Sequence, residues 1–281
     1  MSTTKSRLAA AASLLTLAAT GCGNSTSTRD TSSSAAASDT VSFSAVGGLE
    51  ISGTGPVSTT VWIDRTSILG GDRALAGRYK TSALQMLAPT IARGGTLELR
   101  VFGRVGGHSV PVLAESIPPL SEMGPAGRDD DTMTGYVAAA LDAALGLAPA
   151  SDELSGALEK LTEGPGSDVA RAAGEAIVSL AEDPAPTRNV LVLSDGRVQQ
   201  TEFVLKDALS AGAAEQAGRQ IVENANVPQD TRKISLLRIR GLGSTSGQPD
   251  GTSEEIEAID ASWEAACDAL PAEDCDVSPS T

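Results

Sequence analysis

Two aspartates close the two most aliphatic stretches of this 281-residue chain. "VSTTVWID" (57–64) ends on Asp64, and "NVLVLSDGR" (189–197) carries four aliphatic residues, Val190 to Leu193, before Ser194, Asp195 and Gly196. Runs of this kind read as buried strands, so each carboxylate stands where a strand leaves the core. Hydroxyls stand near: Thr66 follows Asp64, and Ser167 opens the helical stretch "SDVARAAGEAIVSLAED" (167–183). A carboxylate at a buried strand end, beside another of the same sign, costs free energy unless a cation or hydrogen-bond donors compensate it. Arg65 or Arg197 could supply that charge as a structural ion pair in place of a bound ion. Plainer roles stand beside the chemical ones: Asp195 before Gly196 can begin a turn, and Ser167, Asp168 or Thr66 can cap a helix.

Other chemistry-bearing patterns are weaker. His108 is the single histidine and sits in a Gly-rich turn with no serine or cysteine in a nucleophile context. "GSTSG" (243–247) has Thr245 at its centre and does not join a strand to a helix, as a nucleophile elbow requires. "GRDDDTMTG" (127–135) reads as a solvated loop, and "GTGP" precedes a strand, so it is no dinucleotide fingerprint. With no His, Cys or Lys placed as base or nucleophile beside the two aspartates, the chain is expected not to be an enzyme.

The elements that must position Asp64 and Asp195 alternate from about residue 41. After the strand 57–64, Leu75, Tyr79, Ala83, Met86 and Ile91 fall at helical spacing, and Gly94-Gly95 closes that helix. Pro89 is expected to kink or shorten its last turn. Strands follow at 96–103 and 109–117, then a Pro/Gly/Asp-rich loop at 118–132, and two helices in "TGYVAAALDAALGL" and "DELSGALEKL". The helix 167–183 places Val169, Ala173, Ala176, Ile177 and Leu180 on one face. After the strand at 189–197 come helical signal at 205–225, a strand at 233–243 and a last helix at 252–270, with Thr252 and Glu255 as a capping box. This alternation predicts an α/β fold: a doubly wound, mainly parallel sheet with helices on both faces and a helical insertion at about 118–165. In such sheets ligands bind outside the carboxyl ends of the strands, where Asp64 and Asp195 stand.

The order of these pieces resembles the von Willebrand factor A domain over roughly residues 55–270. The family's first strand ends in Asp-x-Ser-x-Ser, matched by "DRTSI"; a Gly-Thr-Asp loop opens a helix, matched by "GSD" at 166–168; and aliphatics ending in Ser/Thr-Asp-Gly are matched by "VLVLSDG". The resemblance implies a metal-ion-dependent adhesion site built by Asp64, Thr66, Ser167 and Asp195, with Mg²⁺ (or Mn²⁺ or Ca²⁺) as the ion. Mg²⁺ wants six hard oxygens and keeps several waters, so these residues leave a place for a partner's acidic side chain. The family's last serine is replaced by Ile68, which has no oxygen to give, and the side chain of adjacent Ser67 points elsewhere. The family's adhesive members bind proteins through this site. The expected function is therefore presentation of a (degenerate) adhesion site to an envelope or extracellular protein partner; the alternatives are a scaffold with a decayed site or a metal-dependent hydrolase.

The chain's start says where such a domain would work. Residues 1–21 have a basic opening (Lys5, Arg7) and an apolar run from Leu8 to Ala19, the anatomy of an export signal. "LAATGC" resembles the lipobox of bacterial lipoproteins, which implies acylation of Cys22; plain secretion is the alternative. Residues 22–40 are Ser/Thr/Ala-rich and are expected to be a flexible tether, reaching about 20–25 Å. A single domain is expected over 41–281, held at the extracytoplasmic face of the cell membrane. In that oxidising compartment Cys267 and Cys275 are expected to pair and clip the tail to the preceding helix. The net charge of −15 excludes nucleic acid as a natural partner and leaves the lipid anchor as the membrane contact.

Overall fold

The computed structural model describes residues 41–43, 49–51, 53, 55–103, 109–118, 130–163, 167–197, 199–200, 203–204, 211–244 and 252–280. The signal segment, Cys22, the tether, His108 and Thr245 lie outside the described residues.

At the centre is a strand whose eight residues are all buried, β3 (Val57–Asp64). Two hairpin strands precede it, β1 (Val41–Phe43) and β2 (Leu49–Ile51). The central sheet also contains β4 (Gly95–Phe102), β5 (Ser109–Ile117), β6 (Thr187–Leu193), β9 (Ile234–Arg240) and β10 (Ala272–Ser278). A separate two-stranded piece joins β7 (Gln199–Gln200) to β8 (Phe203–Val204). The order across the sheet is β10-β9-β6-β3-β4-β5, with every pairing parallel except β4 with β5. Counted along the chain, those six strands run 3-2-1-4-5-6, the doubly wound order.

Alternation along the inner strands feeds two cores. Val61, Ile63, Leu97, Leu99, Leu191 and Leu193 meet α2 (Arg73–Arg93), α3 (Asp130–Leu145) and α4 (Asp152–Lys160) on one face. Trp62, Val190, Val192, Leu237 and Ile239 meet α5 (Val169–Ala181), α6 (Ala211–Ala225) and α7 (Ser253–Cys267) on the other. The second core holds Trp62, Phe102 and Trp263 beside many alanines, and small residues let its helices approach. At Gly174 in α5, a Cβ would collide with the carbonyl of Ala225 in α6.

Three expectations need correction. The last turn of α2 is not shortened at Pro89, and the helix runs on to Arg93 with Gly94 as its cap. Proline removes one N–H from the ladder, but Thr90, Ile91 and Ala92 are buried, the Thr90 hydroxyl donates to that of Thr59 (2.8 Å), and the Gly94 N–H donates to the Thr90 carbonyl (2.9 Å). Next, α3 begins at Asp130, so Asp130 and Asp131 lie in a helix rather than in a loop. The tail, finally, is more than a clipped end. Cys267 and Cys275 do form a disulfide, but residues 272–278 are the edge strand β10, in parallel register with β9.

Candidate functional site

β3 and β6 lie side by side, yet the chain leaves β3 toward β4 on one flank and β6 toward β9 on the other. Such a reversal opens a crevice at the carboxyl ends of the two strands. Asp64 is the last residue of β3, and Ser194 and Asp195 directly follow β6.

The side chain of Asp64 is fully buried and acts as N-cap of a one-turn helix, α1 (Arg65–Ile68). Its Oδ1 accepts the Thr66 N–H at 2.9 Å and the Thr66 hydroxyl at 2.7 Å, and its Oδ2 accepts the Ser194 hydroxyl at 2.8 Å. Asp195 is 7% exposed, and its Oδ1 accepts the Arg197 N–H at 3.0 Å. Its turn is fixed by backbone bonds. The Gly243 N–H donates to the Asp195 carbonyl (2.8 Å), and Trp263 Nε1 donates to the Gly196 carbonyl (2.9 Å). Gly196 has φ 72°, which favours glycine.

Burial, and then the charge of Asp195, push the Asp64 carboxyl up to about 6, against the lowering pull of the Thr66 and Ser194 hydrogen bonds. None of Asp64's hydrogen-bond partners among the described residues is a cation. Arg65 Nη1 instead reaches the Ala144 carbonyl at the end of α3 (3.4 Å), and Arg197 pairs with Glu255 (3.2 Å). Asp64 is therefore a buried carboxylate held by hydroxyls and an amide beside a second acid.

Thr66 is half-buried and touches Asp64 directly. Ser167 is buried immediately before α5, whose N-cap Asp168 accepts the Arg171 N–H at 3.1 Å. A crossover helix runs antiparallel to the strand it feeds, so the start of α5 lies at the same sheet edge as the ends of β3 and β6. Ile68 is buried in the first core, and Ser67 donates to the Asp64 carbonyl at 2.9 Å, not to its carboxylate. Two residues here were not singled out from the sequence. Ser194 stood in the quoted motif without a role, and Tyr79 showed only helical periodicity.

A hydroxyl that gives its proton to a carboxylate turns its lone pairs outward, which suits a hard cation. Thr66 does this toward Asp64, while Ser194 also accepts the Gly196 N–H at 3.2 Å. Among the described residues no three His, Cys, Asp or Glu side chains group to hold a metal. The donor set is thus two carboxylates supplemented by hydroxyls. Those residues fit Mg²⁺, which accepts few protein ligands and retains water.

Strand order and helices on both faces of the sheet fit a doubly wound, von Willebrand factor A-like α/β fold. No protein-family model and no curated protein matches the sequence. Solved structures do align. A point mutant of the PilB minor pilin from Streptococcus sanguinis is 12% identical, covering 82% of this chain and 58% of that one, with a TM-score of 0.39. An aerotolerance-related membrane protein from Bacteroides fragilis is 13% identical, covering 79% and 91%, with a TM-score of 0.33. The vWF domain of the type V pili tip protein Mfa5 from Porphyromonas gingivalis is 15% identical, covering 65% and 53%, with a TM-score of 0.31. The chain thus spans less than two thirds of the length of the pilin it matches.

Proposed function

We propose that this protein is an exported, lipid-anchored binding protein that holds a divalent cation at Asp64, Thr66, Ser167 and Asp195 and offers it to a protein partner. The cation supplies positive charge and an open coordination position, which a partner's acidic side chain fills. The residues of this chain orient the ion: Asp64 and Asp195 attract it, and the hydroxyl of Thr66, polarised by Asp64, faces it. The observation that carries this reading is the fully buried Asp64 carboxylate, beside Asp195 and with no cation among its hydrogen-bond partners in the described residues. With a net charge of −15, the chain repels acidic partners unless a cation bridges them. Anchoring through Cys22 rests on the sequence.

Calorimetry with Mg²⁺ and Mn²⁺ tests the reading. Binding heat and a rise in thermal stability are expected in the parent, and both are expected to vanish in Asp64→Ala and Asp195→Ala. A parent that gives neither would replace this reading with a scaffold whose site no longer binds, which the burial of Ile68 favours. A hydrolase is less well supported, because Asp64 is held by hydroxyls and an amide rather than by a histidine, cysteine or lysine.

A further inference from the structure

Beneath the two aspartates lies a phenol that core packing alone does not explain. Tyr79, on α2, is fully buried, and its hydroxyl lies 3.4 Å from the Ser67 hydroxyl in α1. Ser67 has one proton and gives it to the Asp64 carbonyl at 2.9 Å, so the phenol is the donor to Ser67. Against the same phenol stands Gly241, the residue after β9, with φ 94°; a Cβ there would come within 2.5 Å of the Tyr79 oxygen. That turn carries Gly243, whose N–H holds the Asp195 carbonyl, and Arg240 just before it accepts the Ser194 N–H at 3.0 Å. One hydroxyl therefore contacts the loop that presents Asp64 and abuts the turn that clasps Asp195.

We propose that Tyr79 is a positioning residue of the cation site: its hydroxyl, through Ser67 on one side and Gly241 on the other, sets the spacing of the Asp64 and Asp195 loops. This rests on the cation reading above. Phenylalanine would fill the same volume without donating to Ser67, so the hydroxyl is the discriminating group. Burial, reinforced by the Asp195 and Asp64 charges, holds the phenol well above its usual range, so it stays a neutral donor throughout the physiological range.

The test uses the full chain with Mn²⁺ calorimetry and Mg²⁺ near-ultraviolet difference spectra on the parent, Tyr79→Phe, Ser67→Ala and Tyr136→Phe. The chain has two tyrosines, and Tyr136 is 51% exposed on α3. A tyrosine component that appears on adding Mg²⁺ is expected to survive in Tyr136→Phe and to be missing from Tyr79→Phe. Mn²⁺ affinity is expected to fall about tenfold in Tyr79→Phe, with little change in melting temperature under chelation, and to fall similarly in Ser67→Ala should the first variant not fold. Parent-like Mn²⁺ affinity in a folded Tyr79→Phe or Ser67→Ala overturns the positioning role and leaves the cation reading standing. No Mn²⁺ binding in the parent overturns both.

Discussion

The Ser194 hydroxyl donates to Asp64 Oδ2 at 2.8 Å, joining the end of β6 to the end of β3 across the crevice. Both residues are fully buried, and Ser194 also accepts the Gly196 N–H. Ser194→Ala therefore leaves a carboxylate oxygen and an amide without their partner at once. The expected loss in stability under chelation is about 1–3 kcal/mol, measured by urea unfolding. It should be larger at pH 8, where Asp64 is charged, than at pH 5. Ser194→Thr keeps the hydroxyl and should restore most of the loss. An alanine variant as stable as the parent at both pH values would show that the bond contributes nothing.

Proton linkage gives a second expectation. The folded Asp64 carboxyl lies at about 6, above its ordinary 3.8, so the native state retains a proton that the unfolded chain has released. Stability from this group is full below the unfolded value and is lost as pH rises through about 4 to 6. Asp183 and Asp276 act in the opposite sense. Hydrogen bonds from the Ala185 amide and Ser58 hold Asp183 low, those from Arg240 and Arg238 hold Asp276 low, and their contribution is lost as pH falls below the ordinary carboxylate range. The chelated protein should therefore be more stable near pH 5 than at pH 7.5. Excess Mg²⁺ should raise the melting temperature more at pH 7.5, where no proton competes. Stability that is flat or rising between pH 5 and 7.5 under chelation would contradict the burial-driven shift.

These electrostatics follow from elements that the chain spells out unevenly. β3 is legible to its last residue because its β-branched run meets a carboxylate, and β5 because Pro118 and glycines bound it. The helix face of α5 is legible because Val169, Ala173, Ala176, Ile177 and Leu180 keep one period and all face the core. β10 was hidden. "AEDCDVS" carries no aliphatic run, and its extended form comes from register with β9 and from the ion pairs of Asp276 with Arg238 and Arg240. The roles of Ser194 and Tyr79 were hidden for a related reason. A hydroxyl's type is visible in sequence, but its partner is chosen by tertiary contact, here 130 residues away for Ser194.

The edge position of β10 also sets what its covalent link can do. β10 pairs with β9 alone in the sheet, and the disulfide ties its Cys275 to Cys267 at the end of α7. Glu273 and Asp274 are exposed on it, so apolar burial holds this strand less firmly than it holds β3 or β6. Closing a loop this short restrains the unfolded chain by about 2–3 kcal/mol. Cys267→Ser with Cys275→Ser should lower stability by about that amount, and amide exchange should show β10 opening before β6. The aspartate site lies at the β3–β6 boundary, with β9 between it and the edge, so Mg²⁺ heat should persist in the folded double variant. A variant that keeps β10 protected and parent-like stability would mean that strand pairing and the arginine–Asp276 contacts hold the edge unaided. Loss of the Mg²⁺ heat while β6 stays protected would instead show that the edge strand reaches the site through β9, whose exit turn holds the Asp195 carbonyl.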